Sequence, residues 1–567
     1  MLRLIPSVKV LTEKEGFLKK NTLKVPSVLP DSRLASLMAK LPCSEDGAEV
    51  SVTRKGNEGE GYTLDITADA VLVCADSAAG AFYALQTLRQ IFANGDPIPC
   101  LHIEDKPDFA YRGFYHDVTR GKIPTVQTLK ELIDNMAYYK LNSLQLYVEH
   151  VFEFEETKDI QPKTGYLTGA ELEELDAYCK ENFIEFIPSL ATFGHMYDIL
   201  EQPQYRHLRV LEGYEPSRNF WFERMQHHTI DPLQEESLDL VQSLISRYSK
   251  HFTSDFFNIC GDETFDLKNH PKADGNSGQL YIDFIGKIIE HVKSKGKKVM
   301  MWADILLKHP EIIDQLPEDT IFLNWYYHEN PPEANTKKFA DVGRPQIVCP
   351  GTTSWSRLCE NVGVAEKNIC NFAEQGAKYG AIGVLNTNWG DWGNPCSLEL
   401  GLYGMVLGAE KSWTVATAAD EEFHKAADLL LYGHEGAFDI LAKISAAHDN
   451  VKWNPFVKAY YAYRYGDPIE VNATEAGCLS TVEACDALLP LLQEPWEKDE
   501  FRKELLLTVQ GVRILAEQSA KMQKYTLAST SDVKAWIAEY AAQWRKKNKE
   551  SERRNIVDLF PYLAENE

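Results

Sequence analysis

No apolar run among the 567 residues is long enough to span a bilayer, which argues against a helical membrane-spanning role. Basic residues are in deficit: 59 Lys and Arg stand against 84 Asp and Glu, a formal net charge of −25. That balance repels phosphate backbones and anionic lipid, so neither nucleic acid nor a membrane is an expected partner. A neutral or cationic small molecule is. The opening Met1-Leu2-Arg3-Leu4-Ile5-Pro6-Ser7-Val8-Lys9 lacks a continuous apolar core and a small-residue cleavage site, so no signal peptide is expected. The eleven cysteines form no CxxC pair and show no metal-ligand spacing. Cys74, Cys260 and Cys349 fall in apolar strand-like runs, where a free thiol acts as a small core residue. The expected compartment is the reducing cytoplasm.

What is present points to two or three domains, since 567 residues exceed a single core. Residues 1–107 read as a small α/β domain: strand-like runs at 61–66 and 70–74 precede a helical pattern at 79–92, capped by Asp76-Ser77. From Tyr111 the pattern becomes strand, loop, helix, repeated. Strand candidates are 111–116, 143–148, 184–190, 256–260, 298–302, 321–325, 346–349 and 382–385, with helical patterns between them. Eight such alternations predict a (β/α)₈ barrel over residues 108–415. Residues 416–567 carry amphipathic helical patterns throughout and read as a C-terminal helical domain, packed on the barrel or on a second subunit as a homodimer.

In such a barrel the chemistry sits at the C-terminal strand ends. The fourth strand candidate runs through Phe256-Phe257-Asn258-Ile259-Cys260 into Gly261-Asp262-Glu263. Taken locally, Gly-Asp-Glu is an N-cap and a first-turn acid on a following helix. At a barrel strand end, two adjacent acids instead face different directions, and a partly dry pocket pushes their proton affinities apart. Other strand ends offer Arg112 and Asp117, Glu149 and His150, His195, Trp302 and Asp304, Trp325 and Tyr326, Thr353 and Trp355, and Asn386, Trp389, Asp391 and Trp392. Several Trp at one rim suggest flat apolar walls on which sugar C–H faces stack. The long, aromatic- and His-rich stretch 191–230 reads as a lid over that rim.

In order and spacing these fragments resemble the family 20 glycoside hydrolases, the β-N-acetylhexosaminidases, over residues 60–410. The resemblance rests on Gly80-Ala81-Phe82-Tyr83-Ala84-Leu85-Gln86-Thr87-Leu88-Arg89, Tyr111-Arg112-Gly113 with Asp117-Val118-Thr119-Arg120, and Gly194-His195. It continues in Thr229-Ile230-Asp231-Pro232, Gly261-Asp262-Glu263 and Trp389-Gly390-Asp391. It implies an exo-acting, retaining enzyme for non-reducing terminal β-linked GlcNAc or GalNAc, with no metal or organic cofactor. Glu263 is the implied general acid, and Asp262 orients an acetamido group that itself attacks the anomeric carbon. Arg112 is expected on ring hydroxyls, Trp302, Trp325 and Trp389 around the acetamido group, Asp391 on outer hydroxyls, and Glu149 as partner of His195. The Tyr-x-Asp the family carries after its seventh strand is absent here, Val348-Cys349-Pro350-Gly351-Thr352-Thr353-Ser354-Trp355 standing in its place. Tyr326, Tyr327 or Trp355 is expected to take over the tyrosine's part. The alternatives are a two-carboxylate glycosidase without acetamido participation, which would cleave plain glucosides equally well, and a non-catalytic sugar-binding barrel.

Overall fold

A computed structural model describes residues 2–160, 165–211, 220–224, 228–273, 275–470, 473–557 and 559. The first strands, β1 (Val10–Phe17), β2 (Leu23–Lys24), β3 (Ala48–Arg54), β4 (Tyr62–Ile66), β5 (Ala70–Ala75) and β6 (Pro99–Asp105), form one mixed sheet in the order β1-β6-β4-β5-β3-β2. The helix Ala78–Ala93 covers its inner face, and its N-cap Ser77 accepts from the Gly80 N–H as the sequence predicts.

Eight parallel strands follow and close on themselves. They are β7 (Tyr111–Asp117), β8 (Ser143–Val148), β9 (Glu185–Leu190), β10 (Phe256–Asn258), β11 (Lys298–Trp302), β12 (Ile321–Trp325), β13 (Gln346–Cys349) and β14 (Gly383–Asn388). Strands buried on both faces read as near-continuous apolar runs, which is why all eight were visible in the sequence. Tyr115, Tyr147, Ile187, Met300, Leu323, Ile347 and Leu385 fill the interior, with Trp302 and Trp389 in the same cluster. The lumen is thus a packed core, with a pocket at its upper end.

One strand is shorter than predicted. β10 stops at Asn258 rather than Cys260, because Cys260 and Gly261 take left-handed backbone at φ 56° and 78°. The Asn258 side chain stabilises that exit: its Oδ1 accepts the Cys260 N–H at 2.9 Å while its amide donates to Gln145 Oε1 at 2.9 Å.

The remaining chain is helical and packs on the barrel. Lys547 reaches Glu399 and Glu504, each at 2.8 Å. Arg357 binds Asp449 at 2.6 Å, and the indole N–H of Trp453 donates to the Trp392 carbonyl at 3.0 Å. Contact with the barrel is one of the two arrangements expected for this region.

Candidate active site

The acid pair leaves β10 in strained backbone. Glu263 has φ 50°, and His195, Thr353, Ser356 and Trp392, all around the same rim, also have positive φ. Non-glycine residues held there cost free energy and cluster where geometry matters more than stability. The loop after β9 passes the pair so closely that a Cβ on Gly194 would lie 2.3 Å from the Asp262 carbonyl oxygen, so only glycine fits.

His195 faces both acids, with Nε2 at 3.3 Å from Asp262 Oδ2 and 3.4 Å from Glu263 Oε2. Its Nδ1 lies 3.2 Å from Nη2 of Arg120. A guanidinium can only donate, so this contact makes Nδ1 an acceptor and puts the ring proton on Nε2, toward the carboxylates. Burial lowers the imidazole's proton affinity, but Asp262 and Glu263 outweigh it and raise the pKa to about 10. A pKa of about 10 makes the ring an imidazolium at neutral pH, which requires the Nδ1 contact with Arg120 to open, whereas the neutral, Nε2-protonated ring is the form that keeps it. Asp262 is buried, and its Oδ1 accepts no hydrogen bond among the described residues. Glu263 is the more open of the two, its side chain 24% exposed against 11%. Its backbone N–H donates to Asp304 Oδ2 at 3.3 Å, and burial first, then the nearby Asp262, raises the Asp304 carboxyl to about 7.

Arg120 is the hub of the site, and the predicted set did not contain it. Its guanidinium meets Asp391 Oδ1 at 3.1 Å and Glu149 Oε1 at 3.3 Å, besides His195. Asp117 shapes the loop that presents it. The carboxylate, fully buried, accepts N–H groups of Thr119, Arg120 and Gly390 at 2.9, 3.1 and 3.0 Å, joining the ends of β7 and β14. The signal available in the sequence was Arg120 itself, three residues beyond the strand-end Asp117.

Three predicted residues do not line the pocket, Arg112, Tyr326 and Glu149, and Glu149 also has a different partner from the one expected. Arg112 is second in β7, at the closed N-terminal end of the barrel. There it donates to Glu60 of the first sheet region at 2.6 Å and to the carbonyls of Phe109 and Lys140, and it is fully buried. Tyr326 turns outward to pack with Phe372 and Val384, because alternation past the end of β12 sends Trp325 and Tyr327 to one side and Tyr326 to the other. Glu149 accepts from the Tyr147 hydroxyl at 2.8 Å and from Arg120, which stands between it and His195.

The others come together. His195, Asp262, Glu263, Trp302, Trp325, Trp355, Trp389 and Asp391 line a cavity of about 290 Å³, joined by Arg120, Tyr327, Ser356, Trp392 and Asn454. Drug-sized ligands occupy pockets of about 300–1,000 Å³, so among the described residues this one suits a single sugar ring. Trp302 and Trp389 meet at 5.7 Å, Tyr327 stacks on Trp325 at 5.1 Å, and Trp355 stands edge-on to Tyr327. The Trp389 indole donates to the Tyr327 hydroxyl at 2.8 Å, which orients the phenol. Residues 212–219 and 225–227 of the expected lid lie outside the described residues. Within the rest, Arg224 binds Asp198 at 2.5 Å and Glu552 at 2.7 Å.

Among the described residues, two groups have metal-ligand proximity: His195 with Asp262 and Glu263, and Glu149 with His150 and Asp198. In each a guanidinium already supplies the positive charge, Arg120 beside the first and Arg224 on Asp198 in the second. Neither arrangement calls for a cation.

A closed parallel barrel with an acid pair at one strand end, under aromatic walls, is an arrangement suited to acid/base chemistry on a sugar. Comparison with known proteins gives the family. The description "Glycosyl hydrolase family 20, catalytic domain" matches residues 109–379, and "Glycosyl hydrolase family 20, domain 2" matches residues 8–106. The chain belongs to glycoside hydrolase family 20. It is 28% identical over 327 residues to a β-hexosaminidase of Emericella nidulans, covering 51% of this chain and 52% of that one. To a β-hexosaminidase of Akkermansia muciniphila it is 34% identical over 160 residues, 24% of this chain and 32% of the other. The chain thus spans about half the length of the first of these curated relatives and about a third of the second. Among solved structures, a chitobiase of Flavobacterium johnsoniae superposes with a TM-score of 0.62 over 99% of both chains at 18% identity, a likeness of fold that includes the helical region.

Proposed function

We propose that the chain is an exo-acting β-N-acetylhexosaminidase that removes non-reducing terminal β-linked GlcNAc or GalNAc by a retaining, substrate-assisted mechanism. The observation that carries this reading is the division between two adjacent acids. Asp262 is buried with one oxygen unpartnered among the described residues, and Glu263 is the more open. Glu263 protonates the glycosidic oxygen. The acetamido oxygen of the substrate attacks the anomeric carbon, the glycosidic C–O bond breaks, and an oxazolinium forms. Asp262, through its unpartnered Oδ1, accepts the acetamido N–H and steadies the positive charge that develops there. The deprotonated Glu263 then takes a proton from water, which adds to the anomeric carbon as the oxazolinium C–O bond breaks, restoring the acetamido group and giving net retention. The Nε2 proton of His195 bridges the two carboxylates throughout.

Further support comes from the spacing of the acids. Their nearest side-chain oxygens lie within 4.8 Å of one another, close enough for both acids to act on one sugar ring. The Trp302, Trp389 and Tyr327 walls suit an acetamido methyl, and the oriented phenol of Tyr327 is placed to serve where the family's strand-seven tyrosine is absent. The net charge of −25 suits a neutral sugar, and the small cavity suits cleavage of one residue at a time. The test is turnover of nitrophenyl β-GlcNAc and β-GalNAc, with the first-formed anomer read by NMR. An inverted product, or equal turnover of the glucoside lacking the acetamido group, would overturn the mechanism.

A further inference from the structure

Among the described residues lining the sugar pocket, Asn454 alone comes from the C-terminal helical region. It lies in the first turn of the helix Trp453–Tyr465. The preceding residue is anchored firmly: Trp453 is fully buried, its ring packs near Trp221, and its indole N–H donates to the carbonyl of Trp392. Trp392 in turn adopts left-handed backbone immediately after Asp391, whose carboxylate pairs with Arg120. One hydrogen bond therefore ties the start of this helix to the rim segment that carries the pocket's polar edge.

The Asn454 amide oxygen is buried and accepts no hydrogen bond among the described residues. Buried amide oxygens normally have partners, and an unpartnered one at the wall of a cavity points to a ligand donor. The local sequence does not supply one, since the next residue is Pro455, which has no N–H. The same cavity is lined by Arg120, a pure donor, and Asp391, a carboxylate whose proton affinity is raised by burial. An amide completes that set with a group that both donates and accepts, the pairing a sugar hydroxyl uses.

We propose that Asn454 is a specificity-determining residue of this pocket, its amide binding a hydroxyl of the terminal sugar on the edge that Arg120 and Asp391 face. The inference rests on the pocket being a sugar site, as proposed above. It gives the helical region a part in substrate choice, through the Trp453–Trp392 anchor, in addition to buttressing the barrel.

The experiment compares wild type, Asn454→Ala and Asn454→Asp on nitrophenyl β-GlcNAc, β-GalNAc and a set of deoxy analogues each lacking one hydroxyl. Melting curves and far-UV CD check that the variants fold. The expected result for Asn454→Ala is a KM raised about five- to tenfold with kcat little changed, as for a hydrogen bond made equally in ground and transition states. The loss should disappear on the one deoxy analogue that lacks the partner hydroxyl. Equal kinetics for wild type and Asn454→Ala, or the same loss on every analogue, would overturn the proposal. If Asn454→Ala does not fold, Asn454→Asp carries the same comparison, its expected loss again confined to substrates bearing that hydroxyl. An inactive wild type would overturn the functional reading, and this inference with it. An active wild type with an indifferent Asn454 would overturn the inference alone.

Discussion

Arg120 lies with Nη2 3.2 Å from Nδ1 of His195, and while this contact holds the imidazole keeps a single proton, on Nε2. A donor at Nδ1 leaves the proton on Nε2, between the carboxylates of Asp262 and Glu263. Replacing Arg120 by Ala removes both the donor and the Asp391 partner. We expect kcat/KM to fall about 10²–10³-fold, the scale of losing charge-assisted hydrogen bonds in a buried site. The imidazole, released from Arg120, should also gain its second proton more readily. NMR titration of the His195 ring nitrogens in wild type and Arg120→Ala checks this, and an unmoved titration would refute the tautomer assignment.

The two acids should fail differently. Glu263→Gln removes a proton donor and is expected to cost about 10²–10⁴-fold in kcat. The loss should be smaller for substrates whose leaving group needs no proton, such as dinitrophenyl glycosides. Asp262→Asn keeps size but loses charge, and its cost of about 10²–10³-fold should be the same for good and poor leaving groups. Rates across a leaving-group series separate the two roles. Identical dependence in both variants would count against the division of labour.

Much of this was legible in the sequence, and the misses share one cause. The barrel strands are buried on both faces, so β7 to β14 declared themselves as apolar runs. The acid pair followed a strand directly and was found with it. Arg112 was misplaced because a sequence shows that a strand exists but not clearly which of its ends a residue occupies, and Arg112 sits at the start of β7. Arg120 lies on a loop whose shape is set by Asp117 bonding across to Gly390, at a separation of 273 residues. Tyr326 and Tyr327 differ by one step of alternation beyond a strand end, where the register is no longer fixed by pairing. Asn454 reaches the pocket only because Trp453 bonds to Trp392, a contact spanning 61 residues with no local signature.

Asp304 gives a pH-dependent stability whose sign can be worked out. Its pKa is raised from 3.8 to about 7, by burial first and then by Asp262. Between those values the folded protein holds a proton that the unfolded chain has released. Stability therefore falls as pH rises through that window, and the full penalty is present above pH 7. The whole difference would be worth about 4 kcal/mol. The Asp304 side chain keeps 10% of its exposure, so water offsets part of the cost and about 1–2 kcal/mol is expected. Asp304→Asn should match wild type near pH 4 and melt higher than wild type near pH 8. Calorimetry at both pH values checks it, and a difference that does not change with pH would show that Asp304 is ionised throughout.

Arg112 separates a structural arginine from a sugar-binding one. Its guanidinium is fully buried and donates to Glu60, Phe109, Ala110 and Lys140, while the rings of Trp413 and Tyr83 lie at 5.0 and 5.3 Å. These contacts bolt the first sheet region to the closed end of the barrel, remote from the acid pair at the other. Removing one partner of a buried ion pair costs about 3–5 kcal/mol. Glu60 is 22% exposed and can recover part of its hydration, so the lower end of that range applies. Arg112→Ala should lower the melting temperature while leaving kcat/KM per folded molecule within about twofold of wild type, since no contact with the reacting atoms is lost. Specific activity measured well below the melting transition, alongside the melt itself, makes the distinction. A large loss of kcat/KM in protein that is demonstrably folded would return Arg112 to the sugar site, and the position of β7 in the barrel would then have to be revised.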